Sequence, residues 1–161
     1  MPATLMSVDE YLHTSFSPDC EYVDGVIVER NLGEKPHSKL QTRLAYLLMQ
    51  IKGVQPWVEQ RVQVSPTRFR VPDVCVTIGE PEENIFTAPP LICIEILSPE
   101  DRLTRLQEKI DDYLDFGVRH VWVLDPMNRR AYKCDRAGMH VVTELATSDP
   151  EIRLPLDRLF E

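Results

Sequence analysis

VPDVCVTI at residues 71–78 and LICIEIL at residues 91–97 are two short apolar runs, and each contains one carboxylate. Their β-branched residues and the proline and glycine near their boundaries predict two short buried strands. A buried carboxylate without a partner costs several kcal/mol or shifts its pKa upward. We therefore expect a cationic partner for Asp73 and Glu95, and a divalent metal ion is the natural candidate.

The two predicted strands align well in one register. Because side chains alternate along a strand, Asp73 and Cys75 share one face of the first strand, and Cys93 and Glu95 share one face of the second. Antiparallel pairing of Asp73 with Glu95 also sets Cys75 opposite Cys93. This coincidence favours a shared site. The alternative is that Asp73 closes a turn after Pro72 while Glu95 forms a structural ion pair with an arginine.

The segment after Glu95 has the signals of a helix that runs from about Pro99 to Phe116. Ser98 is a predicted N-cap, Pro99 suits the first helical position, and Asp101 is the acidic half of a capping box. Gly117 predicts the end of the helix. Apolar residues at three- and four-residue spacing predict its buried stripe, which consists of Leu103, Leu106, Ile110 and Leu114.

A lysine on this helix is the third candidate residue. Arg102, Lys109 and Tyr113 follow one flank of the apolar stripe, at the boundary between core and solvent. If the helix folds back over the sheet, the long side chain of Lys109 reaches Glu95. A lysine at such a boundary is often only a solvated group whose stem packs on apolar surface. The prediction therefore rests on Asp73, Glu95 and Lys109 together.

Several short motifs along the chain carry a family resemblance. They are EYVDG at residues 21–25, the helix start at Pro36-His37, Pro72-Asp73, EILSP at residues 95–99, Glu108-Lys109 with Tyr113, Gly117-Val118, and VWVLDP at residues 121–126. Together they resemble the Uma-two family of putative restriction endonucleases, a branch of the PD-(D/E)XK nuclease superfamily. The resemblance extends from about Val8 to Tyr132.

The resemblance implies a fold and a chemistry. The fold is of the α/β (α+β) class, a restriction-endonuclease-like mixed sheet flanked by helices, and we expect one such domain over residues 1–161. The implied reaction is phosphodiester hydrolysis by a hydrolase that uses Mg²⁺ or Mn²⁺. Asp73, Glu95 and the backbone carbonyl of Ile96 would bind the ion, and Lys109 would assist the attacking water. In the superfamily pattern Glu-x-Lys, the lysine follows the glutamate by two residues, and Leu97 occupies that position here. In the family the lysine lies instead on the following helix, at the position of Lys109.

The family motifs also suggest accessory residues. Glu21 is a candidate third acidic group, although an exposed hairpin glutamate is the commoner outcome. His37 either faces the site or is an ordinary residue at the start of a helix, and Tyr113 either orients Lys109 or packs beside it. One departure from the family concerns Arg105, because many members carry Asp at this position.

The charge of the chain bears on its substrate. A formal net charge of −8 disfavours nonspecific attraction to nucleic acid. Basic residues near the proposed site in sequence are candidates for a local positive groove, namely Arg68, Arg70, Arg102 and Arg105. Two functions stay open: an endonuclease that cleaves nucleic acid, with DNA as the expected substrate, or a catalytically inactive nuclease-fold domain that binds nucleic acid or a protein partner.

Composition sets the class of protein. With 161 residues and 43% hydrophobic content, the chain can bury one sizeable core. It has no apolar run long enough to span a membrane, and its acidic N-terminal region is unlike a signal peptide. Four cysteines without a C-x-x-C pair predict reduced thiols in a cytoplasmic protein. The sequence leaves a homodimer open.

The remaining patterns predict the order of elements. Asp24-Gly25 between apolar runs predicts a hairpin that joins residues 20–23 to residues 26–30. Helices are expected at residues 8–13 and 37–52. Further strands are expected at residues 57–64, 72–78, 91–97 and 120–124, with weaker ones at 130–134 and 140–144.

Overall fold

The computed structural model describes residues 5–31 and 33–161. Its helices are α1 (Val8–Leu12), α2 (Lys35–Met49), α3 (Leu103–Phe116) and α4 (Leu156–Leu159). Its strands are β1 (Glu21–Val23), β2 (Val26–Val28), β3 (Val54–Val58), β4 (Val62–Ser65), β5 (Arg68–Arg70), β6 (Val74–Ile78), β7 (Ile92–Ile96), β8 (His120–Asp125), β9 (Arg130–Asp135), β10 (Gly138–Val142), β11 (Glu144–Ser148) and β12 (Glu151–Pro155). Within the described residues, no helix has both the length and the apolar character needed to cross a membrane.

A six-stranded mixed sheet forms the centre of the fold, in the order β10-β9-β8-β7-β6-β3. Its β7 and β8 strands are parallel and are connected through α3, whereas the other neighbours are antiparallel. Between β6 and β7, Cys75 lies opposite Cys93. The predicted register of the two apolar runs is therefore confirmed.

The two long helices cover opposite faces of this sheet. Side chains that alternate along β6 and β7 form two separate cores. Val74 and Ile94 pack in the core that contains the apolar face of α2. Cys75 and Cys93 pack in the core that contains the apolar face of α3. Since Glu95 follows Cys93 by two residues, it projects to the α3 side of the sheet.

α3 differs from the prediction at its start. The helix begins at Leu103 with Arg102 as N-cap, not at residue 99. Ser98 and Asp101 form a turn instead: the Asp101 carboxylate accepts the Ser98 N–H at 2.7 Å, and the Asp101 N–H donates to the Ser98 carbonyl at 3.0 Å. The predicted capping box thus closes a turn ahead of the helix. The end of α3 is as predicted, because Gly117 takes the left-handed conformation with φ 105°.

The buried stripe of α3 also needs a correction. Leu106 and Ile110 are buried as predicted, and Leu114 packs against the same core while partly exposed. Leu103 is 72% exposed because it lies at the very first position of the shortened helix. Tyr113, fully buried, completes the stripe instead. An aromatic residue with a hydroxyl group therefore lies within the core on the α3 face of the sheet.

The predicted strand at residues 57–64 is wrong. The chain turns at Glu59, whose φ is 53°, so that its two parts join different sheets. β3 belongs to the central sheet, and β4 belongs to a second sheet of order β2-β1-β5-β4. The β1–β2 hairpin in that second sheet is as predicted, with Asp24 and Gly25 both at positive φ. β5, β11, β12 and α4 were not predicted.

Candidate active site

Asp73 and Glu95 meet at the end of the β6–β7 pair. Val74 pairs with Ile94, so the next opposed residues are Asp73, which immediately precedes β6, and Glu95 on β7. The Asp73 Oδ2 atom accepts the backbone N–H of Ile96 at 2.7 Å. Both residues are buried, with exposures of 7% and 6%. The strand pairing therefore places two carboxylates side by side beneath the surface.

A backbone oxygen lies on the same side of β7. In an extended strand, the N–H and C=O groups of one residue point toward the same neighbouring strand. Because the Ile96 N–H points at Asp73, the Ile96 carbonyl also faces that side of the strand. The three groups predicted from the sequence to bind a metal ion through oxygen, namely the carboxylates of Asp73 and Glu95 and the carbonyl of Ile96, thus lie at the same end of the β6–β7 pair.

α3 brings two side chains to Glu95. The Lys109 ammonium forms an ion pair with the Glu95 Oε1 atom, and the Tyr113 hydroxyl donates to Oε2 at 3.1 Å. Residues four apart lie on the same side of a helix, so one face of α3 presents both groups. The structure places Lys109 beside Glu95, and it places the Tyr113 hydroxyl on Glu95, a contact that neither interpretation of Tyr113 included.

Glu21 joins this group. It is 3% exposed, so the alternative of an exposed hairpin glutamate is wrong. Its Oε2 atom accepts the Val71 N–H at 2.8 Å and lies 3.1 Å from the Lys109 Nζ atom. Pairing of β1 with β5 covers this side chain. Lys109 therefore lies between two carboxylates, those of Glu21 and Glu95.

Asp73 has a different set of partners. Its Oδ1 atom lies 3.2 Å from the Arg30 Nη2 atom and 3.1 Å from the His37 Nε2 atom. Gln41 donates to its backbone carbonyl at 2.9 Å. His37 thus faces the site, as the family motif suggested. Sequence reasoning missed Arg30, although the hairpin pairs Val28 with Glu21 and alternation sets Arg30 on the same face two residues later.

The surroundings move the pKa values of the two carboxyls in opposite directions. Burial, opposed by Lys109 but reinforced by the charges of Asp73 and Glu21, raises the pKa of Glu95 to about 7. For Asp73, burial is outweighed by the His37 hydrogen bond, by the charge of Lys109 and by the Ile96 N–H, so its pKa lies below its usual range. Asp73 is therefore ionised at neutral pH, while Glu95 titrates there.

The Lys109 ammonium stays charged. Burial alone would lower its pKa, but the negative charges of Glu21, Glu95 and Asp73 outweigh burial and raise the pKa above its usual value. Burial and the charge of Glu95 raise the pKa of the Tyr113 hydroxyl. At neutral pH both groups are therefore hydrogen-bond donors to Glu95.

The four arginines predicted to contact nucleic acid fall into two groups. Arg70 is buried and pairs with Asp112 at 2.7 Å, and Arg68 pairs with Asp24 and Asp112. These β5 arginines tie the second sheet to α3, which is at odds with a role in nucleic-acid contact. Arg102 and Arg105, at the start of α3, are exposed and line the mouth of the cleft.

The site opens into a cleft of about 350 Å³. Among residues 5–31 and 33–161, no group of three or more His, Cys, Asp or Glu side chains could hold a metal ion. Mg²⁺ does not need such a group, because it keeps several waters and is bound through one or two carboxylates. Asp73, Glu95 and the Ile96 carbonyl match this preference. The raised pKa of Glu95 also reflects carboxylate repulsion that a divalent cation would relieve. The residues therefore fit such an ion.

Comparison with solved structures identifies the fold. A crystal structure of a protein described as a "putative nuclease belonging to DUF820", from Anabaena variabilis, superposes with a TM-score of 0.80 at 23% sequence identity. The match covers 96% of this chain and 97% of that chain. The predicted fold, a mixed sheet with flanking helices, is therefore confirmed as that of this neighbour.

The family follows from the sequence profile. Residues 8–159 match the Uma2 family, described as "Putative restriction endonuclease". The chain belongs to this family, the one that its motifs resemble, and the family supports assignment to the nuclease class. Comparison with curated proteins finds no match.

Proposed function

We propose that this protein is a Mg²⁺-dependent endonuclease that hydrolyses phosphodiester bonds of DNA. Membership of the restriction endonuclease family supports the nuclease class. The observation that carries the finer proposal is the convergence of Asp73 and Glu95, from adjacent strands, with Lys109 from α3. The domain would comprise the whole chain.

The carboxylates of Asp73 and Glu95 and the carbonyl of Ile96 would hold the ion, with waters in its other positions. Mg²⁺ or Mn²⁺ in this place would polarise the scissile phosphate and lower the pKa of the attacking water. Asp73 is already ionised, since its pKa is lowered, whereas Glu95 must lose its proton before it becomes a full ligand.

Lys109 acts as a fixed cation in this proposal. Because the surrounding carboxylates raise its pKa, it keeps its proton and is not a general base at neutral pH. Its ammonium orients the attacking water and stabilises the negative charge that develops on the phosphate. Glu21 is its second carboxylate partner beside Glu95 and thereby limits its movement.

The remaining contacts position the carboxylates. Tyr113 fixes one oxygen of Glu95, and His37 with Arg30 fixes one oxygen of Asp73. Partners of this kind orient metal ligands, and their loss commonly reduces metal affinity or activity. Arg102 and Arg105 at the mouth of the cleft are placed to contact substrate phosphates.

A second function is a nuclease-fold domain that binds nucleic acid or a protein partner without cleavage. The observation that favours it is Arg105, which lines the cleft at a position where many family members carry Asp. A cytoplasmic location suits either function, because Cys20, Cys75, Cys93 and Cys134 are free thiols. A homodimer is compatible with both.

A cleavage assay tests the proposal. Purified protein is incubated with supercoiled plasmid and with single-stranded DNA, in Mg²⁺, in Mn²⁺ and in EDTA. We expect cleavage with either ion and none in EDTA. Glu95→Gln keeps the size of the side chain but removes its charge, and we expect it to be inactive. Equal cleavage by Glu95→Gln would locate the site elsewhere, and DNA binding by a wild type that never cleaves would favour the second function.

A further inference from the structure

The β1–β2 hairpin lines the cleft with an apolar surface. Its register pairs Val23 with Val26 and Glu21 with Val28, and paired residues project to the same face of the hairpin. All four residues line the cleft. We call Val23, Val26 and Val28 the hairpin valines. Because Val28 lies opposite Glu21, a carboxylate partner of Lys109, this apolar surface adjoins the candidate active site.

The hairpin valines are not part of the packing that holds the fold together. The other face of the hairpin presents Tyr22 and Ile27, which pack with Phe69 in an aromatic core. Tyr22 is 3% exposed, whereas Val26 is 45% exposed. Among the residues that the structure describes, the hairpin valines belong to none of the hydrophobic cores. They are therefore available to an apolar part of a ligand.

The candidate active site is recessed at the bottom of the cleft. Glu21, Asp73 and Glu95 are only 3%, 7% and 6% exposed. The cleft volume of about 350 Å³ is at the small end of the range of ligand pockets, roughly 300–1,000 Å³. A duplex is stiff, with a persistence length of about 50 nm, so bending its backbone into a narrow recess costs free energy. A flexible single strand enters such a recess more readily.

The hairpin valines suit an unpaired nucleotide. A phosphate that reaches the carboxylates must pass along the walls of the cleft, so the nucleotide attached to it comes next to these side chains. The bases of a duplex are paired and stacked inside the double helix. Only an unpaired base can turn its flat face to an apolar surface of the protein. The apolar wall therefore favours a single strand.

The charges around the cleft favour the same substrate. Exposed carboxylates of Glu29, Glu100 and Asp101 line it together with the exposed Arg102 and Arg105. The whole chain has a formal net charge of −8. A DNA duplex carries about twice the linear charge of a single strand. An acidic protein therefore repels a duplex more strongly than it repels a single strand.

We infer that the cleft takes single-stranded DNA in preference to duplex DNA, with the hairpin valines packed against the unpaired nucleotide next to the cleaved bond. This inference rests on the proposed function, because it takes DNA as the substrate from it. Arg102 and Arg105 then contact phosphates while the hairpin valines contact base or sugar. Such a division between charged and apolar contacts is typical of sites that bind single strands without sequence preference.

Fluorescence anisotropy of a short fluorescein-labelled DNA strand, alone and in a duplex, tests this inference. Ca²⁺ replaces Mg²⁺ because it also takes oxygen ligands, and gel analysis verifies that the DNA stays intact. Val26→Thr/Val28→Thr makes the surface polar but keeps β-branched residues, so we expect the hairpin to fold, which the melting temperature will verify. Val58→Thr/Val141→Thr is the matched control, because these strand valines are 47% and 63% exposed and lie outside the cleft lining.

Wild type should bind the single strand at least about tenfold more tightly than the duplex, at about 50 mM and at about 200 mM NaCl. Val26→Thr/Val28→Thr should raise Kd for the single strand roughly fivefold, because it removes apolar contact area. The control should bind like wild type. Equal or tighter binding of the duplex by wild type overturns the inference, as does an unchanged Kd in the hairpin variant or an equal loss in both variants. A wild type that binds neither DNA at the lower salt concentration also overturns it.

An aromatic side chain in the same place should strengthen the contact. Bases stack more strongly on an aromatic ring than on valine, so Val26→Tyr should lower Kd for the single strand roughly fivefold. The Kd for the duplex should change little. A gain of this kind cannot result from damage to the hairpin. Equal gains for single strand and duplex would contradict contact with an unpaired base.

The plasmid cleavage assay separates this inference from the proposed function. Wild type that cleaves relaxed duplex plasmid as fast as single-stranded DNA overturns the single-strand preference and leaves the endonuclease standing. Wild type that binds the single strand through the hairpin valines, but never cleaves, overturns the endonuclease and supports binding of nucleic acid without cleavage.

Discussion

α3 and α2 pack on opposite faces of the central sheet, and each sends side chains to one of the two carboxylates. α3 supplies Lys109 and Tyr113 to Glu95, whereas α2 supplies His37 to Asp73. Glu95 has a raised pKa, and Asp73 has a lowered one. The α3 side of the site is therefore the one that titrates near neutral pH, and the α2 side stays ionised.

The two helices also differ in how their other charged side chains are paired. Asp112 on α3 is bound by Arg68 and Arg70, so these charges stabilise the protein itself. Lys35 and Lys39 on α2 have no such partner among the described residues. The comparison teaches that a basic residue near a site in sequence is not free for an external anion when a carboxylate of the protein already pairs with it.

The largest effect expected is on catalysis through α3. Lys109→Ala should reduce the single-turnover cleavage rate by about 10²–10³-fold, because it removes a charge that acts on the transition state. Lys109→Arg should recover little, since a guanidinium has a different shape and hydrogen-bond geometry. Metal binding should persist in both variants, because the lysine is not a ligand.

His37→Gln provides the comparison on the α2 side. It acts only through Asp73, so we expect a smaller loss of about 10-fold, with a weaker affinity for Mg²⁺. If Lys109→Ala and His37→Gln lost the same amount of cleavage rate, each with unchanged metal affinity, His37 would not act through Asp73. The proposed difference between a direct role for α3 and an indirect role for α2 would then be wrong.

The next effect concerns stability. Arg70→Met leaves the buried carboxylate of Glu21 and that of Asp112 without this partner, and we expect a loss of about 3–5 kcal/mol in the free energy of unfolding. Arg105→Met, at an exposed position, should change it by no more than about 0.5 kcal/mol. Urea unfolding measures both. A stable Arg70→Met protein with weakened DNA binding would return Arg70 to the nucleic-acid contacts predicted from the sequence.

The smallest effect is a pH dependence. Since the pKa of Glu95 is about 7, a proton competes with the metal ion below that pH and leaves the carboxylate above it. The rise in melting temperature caused by Mg²⁺ should therefore increase as the pH rises through 7. A rise that is the same well below and well above this pH would mean that Glu95 is not a ligand. Glu95→Gln should show no pH dependence of this kind.

Local patterns were sufficient for part of the site. The alternation within β6 and β7 fixed the register of Cys75 and Cys93, and hence the proximity of Asp73 and Glu95. The apolar spacing around Leu106 and Ile110 oriented α3 on the sheet. The face that each of these side chains occupies depends on neighbours two to four residues apart, and for that reason the sequence predicts it.

Long-range pairing decided the rest. The burial of Glu21 depends on pairing between β1 and β5, and the β5 strand was not predicted. Arg30 follows the β1–β2 hairpin on the face of Glu21, and its contact with Asp73 joins residues 43 positions apart in sequence. The start of α3 moved because the Asp101 carboxylate closes a turn with Ser98. Each of these outcomes depends on contacts whose geometry single-sequence patterns do not contain.

The central claim is that Asp73 and Glu95 hold a divalent cation beside Lys109. The most direct measurement is the anomalous scattering of Mn²⁺ in crystals of the wild-type protein soaked with the ion. We predict one strong peak within about 2.0–2.3 Å of a carboxylate oxygen of both Asp73 and Glu95, with the Ile96 carbonyl among its ligands. Ordered Mn²⁺ bound only elsewhere, or crystals without any peak near these residues at saturating Mn²⁺, would contradict the claim.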